Sequence, residues 1–269
     1  MKRLTTSLVL SLLCLCLLAQ TKLIKVGLDN NYPPYEFVDK FGQVQGFNIE
    51  LLKIIETYTS MKFDFHPDSW EHIVKRYDNG ELDMLSGMFL SEERAKENFF
   101  SIPHSRVSYK VFYHKDKRII DIDNLSDKKL LVQKNDIMHS YLSNRQDLNL
   151  VLVRDPEEAI LRLRFSEFDG AVISLGAGNY FVDKHELRDI LVNPQPILNL
   201  NYCYAAKFEN KEVIDEINEI LLYLISTGKY NDLHAKWYNQ HTTFEKYKPI
   251  IMLLITSLLI ILINLLLKA

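Results

Sequence analysis

The sequence predicts an α/β fold, a parallel sheet with crossover helices, carried by an exported chain that ends in one apolar helix. Three observations predict it. Short apolar runs alternate along the chain with amphipathic stretches of helical period, the pattern of strand–helix–strand units. The first residues combine Lys2 and Arg3 with an apolar run from Leu8 to Leu18 and the small Ala19, the layout of a secretory leader over 1–19. Near the other end, Ile250 to Leu267 is apolar apart from Thr256, Ser257 and Asn264, long enough to span a bilayer. The leader's apolar core is too short to do so.

In chain order, LIKVGL at Leu23 to Leu28 predicts a strand that ends near Asp29. GFNIELLKIIETYT from Gly46 predicts a helix, with Ile49, Leu52, Ile55 and Tyr58 near helical spacing. KFDFH predicts a strand. SWEHIVKRYDNGEL predicts a helix that starts at Ser69 and stops at Asn79-Gly80. DMLSG predicts the next strand, followed by a helix capped by Ser91 that carries Arg94 in its first turn. VSYKVFYH from Val107 predicts a long strand. KLLVQ, LVLVR and DGAVIS predict three more, with helices starting near Asp136, Asp155 and Ser174. NLNYCYAAK predicts a strand over Asn199 to Lys207, and two helices follow, NKEVIDEINEILLYLISTG and KYNDLHAKWY. The alternation alone permits a single doubly wound sheet as well as two lobes.

Composition narrows the function. The chain is 47% hydrophobic and 25% charged, as in folded globular proteins, and about 225 residues between leader and apolar end suffice for one large domain or two lobes. Loss of Lys2 and Arg3 with the leader takes the formal charge from −3 to −5, and no basic patch offers a surface for nucleic acid. Cys14 and Cys16 lie in the leader, so Cys203 is left as a lone thiol, read as a small core residue. The eight histidines lack metal-ligand spacing, His66 and His72 falling on different elements, and neither a phosphate loop nor a Gly-x-Ser-x-Gly elbow is present. No metal, no cofactor and no enzyme activity are expected, since nothing assembles a positioned acid and base.

Two segments carry the chemistry: VGLDNNYPPYEF at Val26 to Phe37, and DMLSGMFLSEERAKENFFSIP at Asp83 to Pro103. They bring an acid, two tyrosines, small residues and an arginine to two strand ends, a cradle for a small anion. Together they resemble the family 3 periplasmic solute-binding proteins, over about Leu23 to Tyr238. The spacing from Asp83 to Arg94 resembles the sensor-kinase ectodomains of that family. The resemblance implies the two-lobed periplasmic-binding-protein (Venus flytrap) fold. The first lobe would comprise 22–107 and 201–242, the second 108–200, with two crossing strands as the hinge and a transmembrane helix over 249–267.

The resemblance also implies ligand-binding roles. SEER followed by FFSIP is similar to the signature in which an arginine, here Arg94, grips a ligand carboxylate through its planar fork. Asp29 matches the acid at the end of the first strand, Tyr32 and Tyr35 match aromatic pocket walls, and Ser86, Gly87 and Phe89 match strand-end positions that meet the ligand. Trp70 reads foremost as a core aromatic. In the second lobe Lys134-Asn135-Asp136 stands where the family has Gly-Ser/Thr-Thr. Ser174 stands where its amino-acid binders place an acid for the α-ammonium group. Asn135, Asp136 and Ser174 therefore complete the candidate site. They imply a small carboxylate in preference to common α-amino acids. The implied partners are a permease or a sensor kinase or cyclase, and the implied location is the periplasmic face of the inner membrane.

Overall fold

The computed structural model describes residues 21–117, 125–165, 167–238 and 252–257. The leader 1–19 lies outside them. So does most of the apolar span 249–267, of which only 252–257 is described, helical and exposed. No helix among the described residues is long and apolar enough to cross a membrane.

The first lobe is built on β1 (Lys22–Asp29), β5 (Met61–Asp68) and β6 (Met84–Phe89), with β1 parallel to both neighbours. Buried Ile24, Val26 and Leu28 alternate along β1, and β6 is buried at every residue, as a central strand covered on both faces must be. Helix α1 (Phe47–Ile55) buries Phe47, Ile49, Leu51, Leu52 and Ile55, each contributing roughly 2 kcal/mol on leaving water. Tyr58 lies beyond its end and is exposed. Helix α2 (Trp70–Asp78) starts after Ser69 and ends at Asn79, with Gly80 in the left-handed region that closes it.

Between β1 and α1 the chain forms a small antiparallel sheet that sequence periodicity did not reveal: β2 (Asn31–Tyr32), β3 (Glu36–Val38) and β4 (Val44–Gln45). Its strands are two or three residues long, too short for a period to register. The helix expected after Ser91 is instead a single 3₁₀ turn, Arg94–Lys96. Ser91 still caps it, its Oγ accepting the Arg94 N–H at 3.2 Å, but the chain turns into β7 (Asn98–Phe100) before a second turn can form.

The second lobe holds β9 (Lys129–Gln133), β10 (Asn149–Val153) and β11 (Gly170–Ser174), parallel about β9. Its helices are α3 (Ile137–Ser143), α4 (Pro156–Arg162) and α5 (Leu175–Lys184), each preceded by its expected cap, Asp136, Asp155 and Ser174. The Asp136 and Asp155 carboxylates accept the Met138 and Glu158 N–H groups.

Two long strands join the lobes. β8 (Ser105–His114) and β12 (Ile190–Lys207) pair antiparallel from Ser105↔Tyr202 to His114↔Ile190. β8 continues onto β11, and β12 continues onto β6 and β7. The order β10-β9-β11-β8-β12-β6-β1-β5 therefore reads as two parallel cores linked by an antiparallel ribbon, which excludes a single doubly wound sheet. Cys203 lies fully buried on that ribbon. Two compact units divide the chain: Met1–Tyr223, which contains both lobes, and Leu224–Ala269. Helix α6 (Lys211–Ser226) is tied to the first lobe by Asn218, whose Oδ1 accepts the Ile102 N–H, and α7 (Lys229–Tyr238) follows it.

Candidate functional site

The carboxyl-terminal ends of β1, β6, β9 and β11 meet where the lobes face each other, and side chains from both sides close the seam. Asp29 ends β1 and is buried. Its Oδ1 accepts the Asn31 N–H, and its Oδ2 accepts Gln133 Nε2–H from the second lobe, both at 2.9 Å. The Tyr32 and Tyr109 hydroxyls lie 3.2 Å apart, and Tyr109 donates to Asp136 Oδ2 at 2.7 Å. Asn135 takes the left-handed conformation that asparagine tolerates. Its carbonyl thereby accepts two donors from the first lobe, Trp70 Nε1–H at 3.0 Å and an Arg94 guanidinium N–H at 3.3 Å. The other arm of Arg94 donates to the Phe89 carbonyl at 3.3 Å. At the rim Lys134 reaches Glu71, and Asn31 Nδ2–H donates to Glu157, which also holds Lys184 and His185.

The structure thus brings Asp29, Tyr32, Gly87, Phe89 and Asp136 around one cavity. Trp70 lines the same cavity and also belongs to the core cluster of Ile73, Tyr77, Leu85 and Met88, so it serves both roles. Arg94 and Asn135 meet beside it. Ser174, fully buried, lines an adjoining small cavity with Tyr32, Tyr109 and Asp136. Tyr35 stacks on Tyr32 with ring centres 5.2 Å apart. Ser86 turns away from the cavity, donating to Glu36 Oε2 at 2.6 Å. Among the described residues no acidic, histidine and cysteine side chains group as a metal site.

Besides Tyr109, sequence reasoning missed three more residues. Gln133 ends the expected strand KLLVQ, Glu36 lies in the segment VGLDNNYPPYEF and Tyr202 in the expected strand NLNYCYAAK, and none was named for the site. All three are buried, and Gln133 and Tyr202 line the cavity. The one signal that could have found Gln133 is its place at the end of β9, the strand end homologous in position to that of Asp29 in the other lobe. The cavity itself measures about 10 Å³, room for roughly one water.

Burial governs the charges here. Desolvation pushes the Asp29 and Glu36 carboxyls up to about 7, against the hydrogen bonds each accepts. Desolvation also raises Asp136, while the Tyr109 hydroxyl and Arg94 oppose the rise. Raised carboxyl values mean that the folded chain binds more protons than the unfolded chain between about pH 4 and 7. Stability is then fullest below that window and falls as pH rises through it, by about 3–4 kcal/mol for each group taken alone. Glu157, held down to about 2 by Lys184, Asn31 and His185 against desolvation, acts in the opposite sense, and only as pH falls below about 4. Buried His104, pushed down to about 3 by desolvation, opposes this fall up to about pH 6.5. Chemical denaturation of the native chain should still give lower stability at pH 8 than at pH 5, and Asp29→Asn should lessen that fall. Stability that rises from pH 5 to 8 would contradict the assignment.

Residues 24–240 match the family model of the bacterial extracellular solute-binding proteins, family 3. The arginine-binding periplasmic protein of Mannheimia haemolytica is 23% identical over 219 residues, covering 79% of this chain and 90% of its own length. The crystal structure of a histidine kinase sensor domain with similarity to periplasmic binding proteins superposes with a TM-score of 0.76 at 32% identity, covering 80% of this chain and 95% of that one. The virulence sensor protein BvgS of Bordetella pertussis is 22% identical over 226 residues, which are 82% of this chain and 18% of the sensor. These relatives are binding proteins and sensors.

Proposed function

The chain belongs to the bacterial extracellular solute-binding proteins of family 3, and on that premise we propose that it binds a small carboxylate-bearing solute between its lobes and signals the bound state through its membrane-anchored end. The observation that carries the reading is Arg94. Its half-buried guanidinium stands at the seam and touches both lobes, yet both of its hydrogen bonds go to neutral carbonyls and are long, at 3.3 Å. A carboxylate offers a planar, charged acceptor pair and would outcompete them. Bound there, it would touch both lobes only when they are closed, so binding would favour closure about the ribbon of β8 and β12.

The sensor role rests on the likeness to kinase sensor domains and on the apolar stretch 249–267, which would tether the second unit to the membrane. An open groove of about 750 Å³, lined by Asn31, Asp39, Asp68 and His72 of the first lobe and Arg154 and Glu157 of the second, runs along the outer rim of the seam. The ligand class is set by Ser174 and Asp136. Neither supplies a free acid for an α-ammonium group, since Asp136 is held by Tyr109 and Met138. Deaminated carboxylates should therefore bind better than the matching α-amino acids.

The test is calorimetry on the purified full-length chain with a panel of common amino acids and their deaminated analogues. For any ligand found, Arg94→Ala should weaken binding by about 2–3 kcal/mol, some thirty- to two-hundredfold, and Arg94→Lys should weaken it less than that. Unchanged affinity in Arg94→Ala would remove the arginine from the site. Micromolar binding of a common α-amino acid to the native chain would overturn the ligand class.

A further inference from the structure

We propose that the Tyr202 side chain is a tethered occupant of the ligand cleft, so that a solute of more than a few heavy atoms binds only by displacing it. This rests on the reading that the seam between the lobes is the ligand site. Tyr202 sits on β12 directly opposite Phe89 of β6. Its ring stacks on that of Phe89 with centres 4.4 Å apart, and lies 6.1 Å from Tyr32 and 5.5 Å from Tyr35. It is almost wholly buried.

The position of its hydroxyl is what identifies the role. A Cβ placed on Gly87 would stand 2.1 Å from the Tyr202 oxygen and 2.3 Å from the ring carbon that bears it. The phenol thus fills the space into which a side chain at position 87 would project, and only glycine there admits it. Gly87 and Tyr202 both line the cavity between Asp29, Asp136, Trp70 and Phe89, and what the phenol leaves free is about 10 Å³. A solute with a carboxylate and even a short side chain needs several times that volume. The lobes cannot close on such a solute with the ring in place. Ligand and ring therefore compete for one space, and the stacking on Phe89 and the tyrosine pair opposes ligand entry. A ring that leaves must rotate about its own side chain, because its backbone is held in the ribbon between β6 and β8.

Truncation of the occupant should leave a phenol-shaped hollow with aromatic walls. Calorimetry and thermal shift with phenol on the full-length chain test this. Tyr202→Ala should bind phenol with a dissociation constant of about 1 mM or below, while the native chain and Tyr202→Phe bind none. Gly87→Ala should lower the melting temperature of the native chain by about 5 °C, because the new methyl meets the ring, and the loss should vanish when Tyr202→Ala is added. If Tyr202→Ala does not fold, Tyr202→Val carries the same phenol titration. A folded truncation variant that binds no phenol, or a Gly87→Ala chain as stable as the native one, overturns the proposal. Phenol carries no carboxylate, so its binding reports the hollow behind Tyr202 whatever the solute panel shows, and a carboxylate that binds Tyr202→Ala no more tightly than the native chain overturns the competition. Failure of every carboxylate with both the native chain and Tyr202→Ala would instead overturn the proposed function.

Discussion

Gly46→Ala should cost about 2–6 kcal/mol and leave much less folded protein. Gly46 precedes α1 with φ +126° and ψ 163°, a conformation that side-chain-bearing residues adopt only under strain of about 1–3 kcal/mol. Its missing Cβ matters as much. An added methyl carbon would lie 2.2 Å from the Tyr35 carbonyl oxygen and 2.7 Å from the Glu36 Cα, and backbone cannot yield as a side-chain tip can. That backbone is in use. The Pro34 and Tyr35 carbonyls accept the first N–H groups of α1, from Phe47 and Asn48, in place of a side-chain cap. Forcing them apart unseats the helix and moves the segment that carries Tyr32 and Tyr35, adding overpacking strain of about 1–3 kcal/mol. Gly42 is the control. It has φ +77° but open space around its Cα, so Gly42→Ala should cost about 1 kcal/mol. Urea denaturation of both variants measures the contrast, and similar losses at the two glycines would refute the packing argument.

Glu36→Ala should destabilise the chain by about 4 kcal/mol, the second largest effect expected of a single change. Glu36 is fully buried on β3, and its carboxyl group binds three separate elements. Oε1 accepts the Asp29 N–H at 2.9 Å, and Oε2 accepts Asn48 Nδ2–H at 3.0 Å and Ser86 Oγ–H at 2.6 Å. Truncation leaves three buried donors without that acceptor, at about 1–3 kcal/mol each, partly offset because a group whose ionisation burial already opposes is removed. Glu36→Gln keeps the shape but turns one oxygen into a donor facing Asn48 and Ser86, and should cost about 1–2 kcal/mol. Because Asp29 is positioned through its own N–H, Glu36→Ala should also weaken ligand binding. A Glu36→Ala chain within 1 kcal/mol of native stability would show that Glu36 is dispensable.

Much of this protein was legible in order along the chain. The strands of β1, β5, β6, β9, β10 and β11 follow from short apolar runs, and the starts of α2, α3 and α4 follow from Ser69, Asp136 and Asp155, because period and capping are settled within a few neighbouring residues. Asp29, Tyr32, Gly87, Phe89 and Asp136 were found through the family's motifs at strand ends, and they do meet around one cavity. The 3₁₀ turn at Arg94 shows the limit of local reading. Ser91 and its acidic neighbours signal a helix start, but the pairing of β7 with β12 withdraws the chain after one turn.

What only the tertiary structure decided is the partner of each buried polar group and the lining of the cavity. Gln133 reaches Asp29 from 104 positions away, and Ser86 reaches Glu36 across 50. A glutamate in a three-residue strand reads as solvated, since only the approach of β1, α1 and β6 removes its water and supplies donors in exchange. Tyr202 is likewise unremarkable in sequence, and Gly87 there marks a strand end without its partner. Their complementarity exists because β12 returns antiparallel beside β6 and sets a phenol above a missing side chain. Local propensity acts over one turn or one strand, whereas burial is a property of surfaces brought together from distant parts of the chain. The sequence therefore determined the elements and the strand ends where polar and aromatic residues gather, and the packing of the two lobes decided which side chains line the cavity, which support them, and that a phenol fills the space beside Gly87.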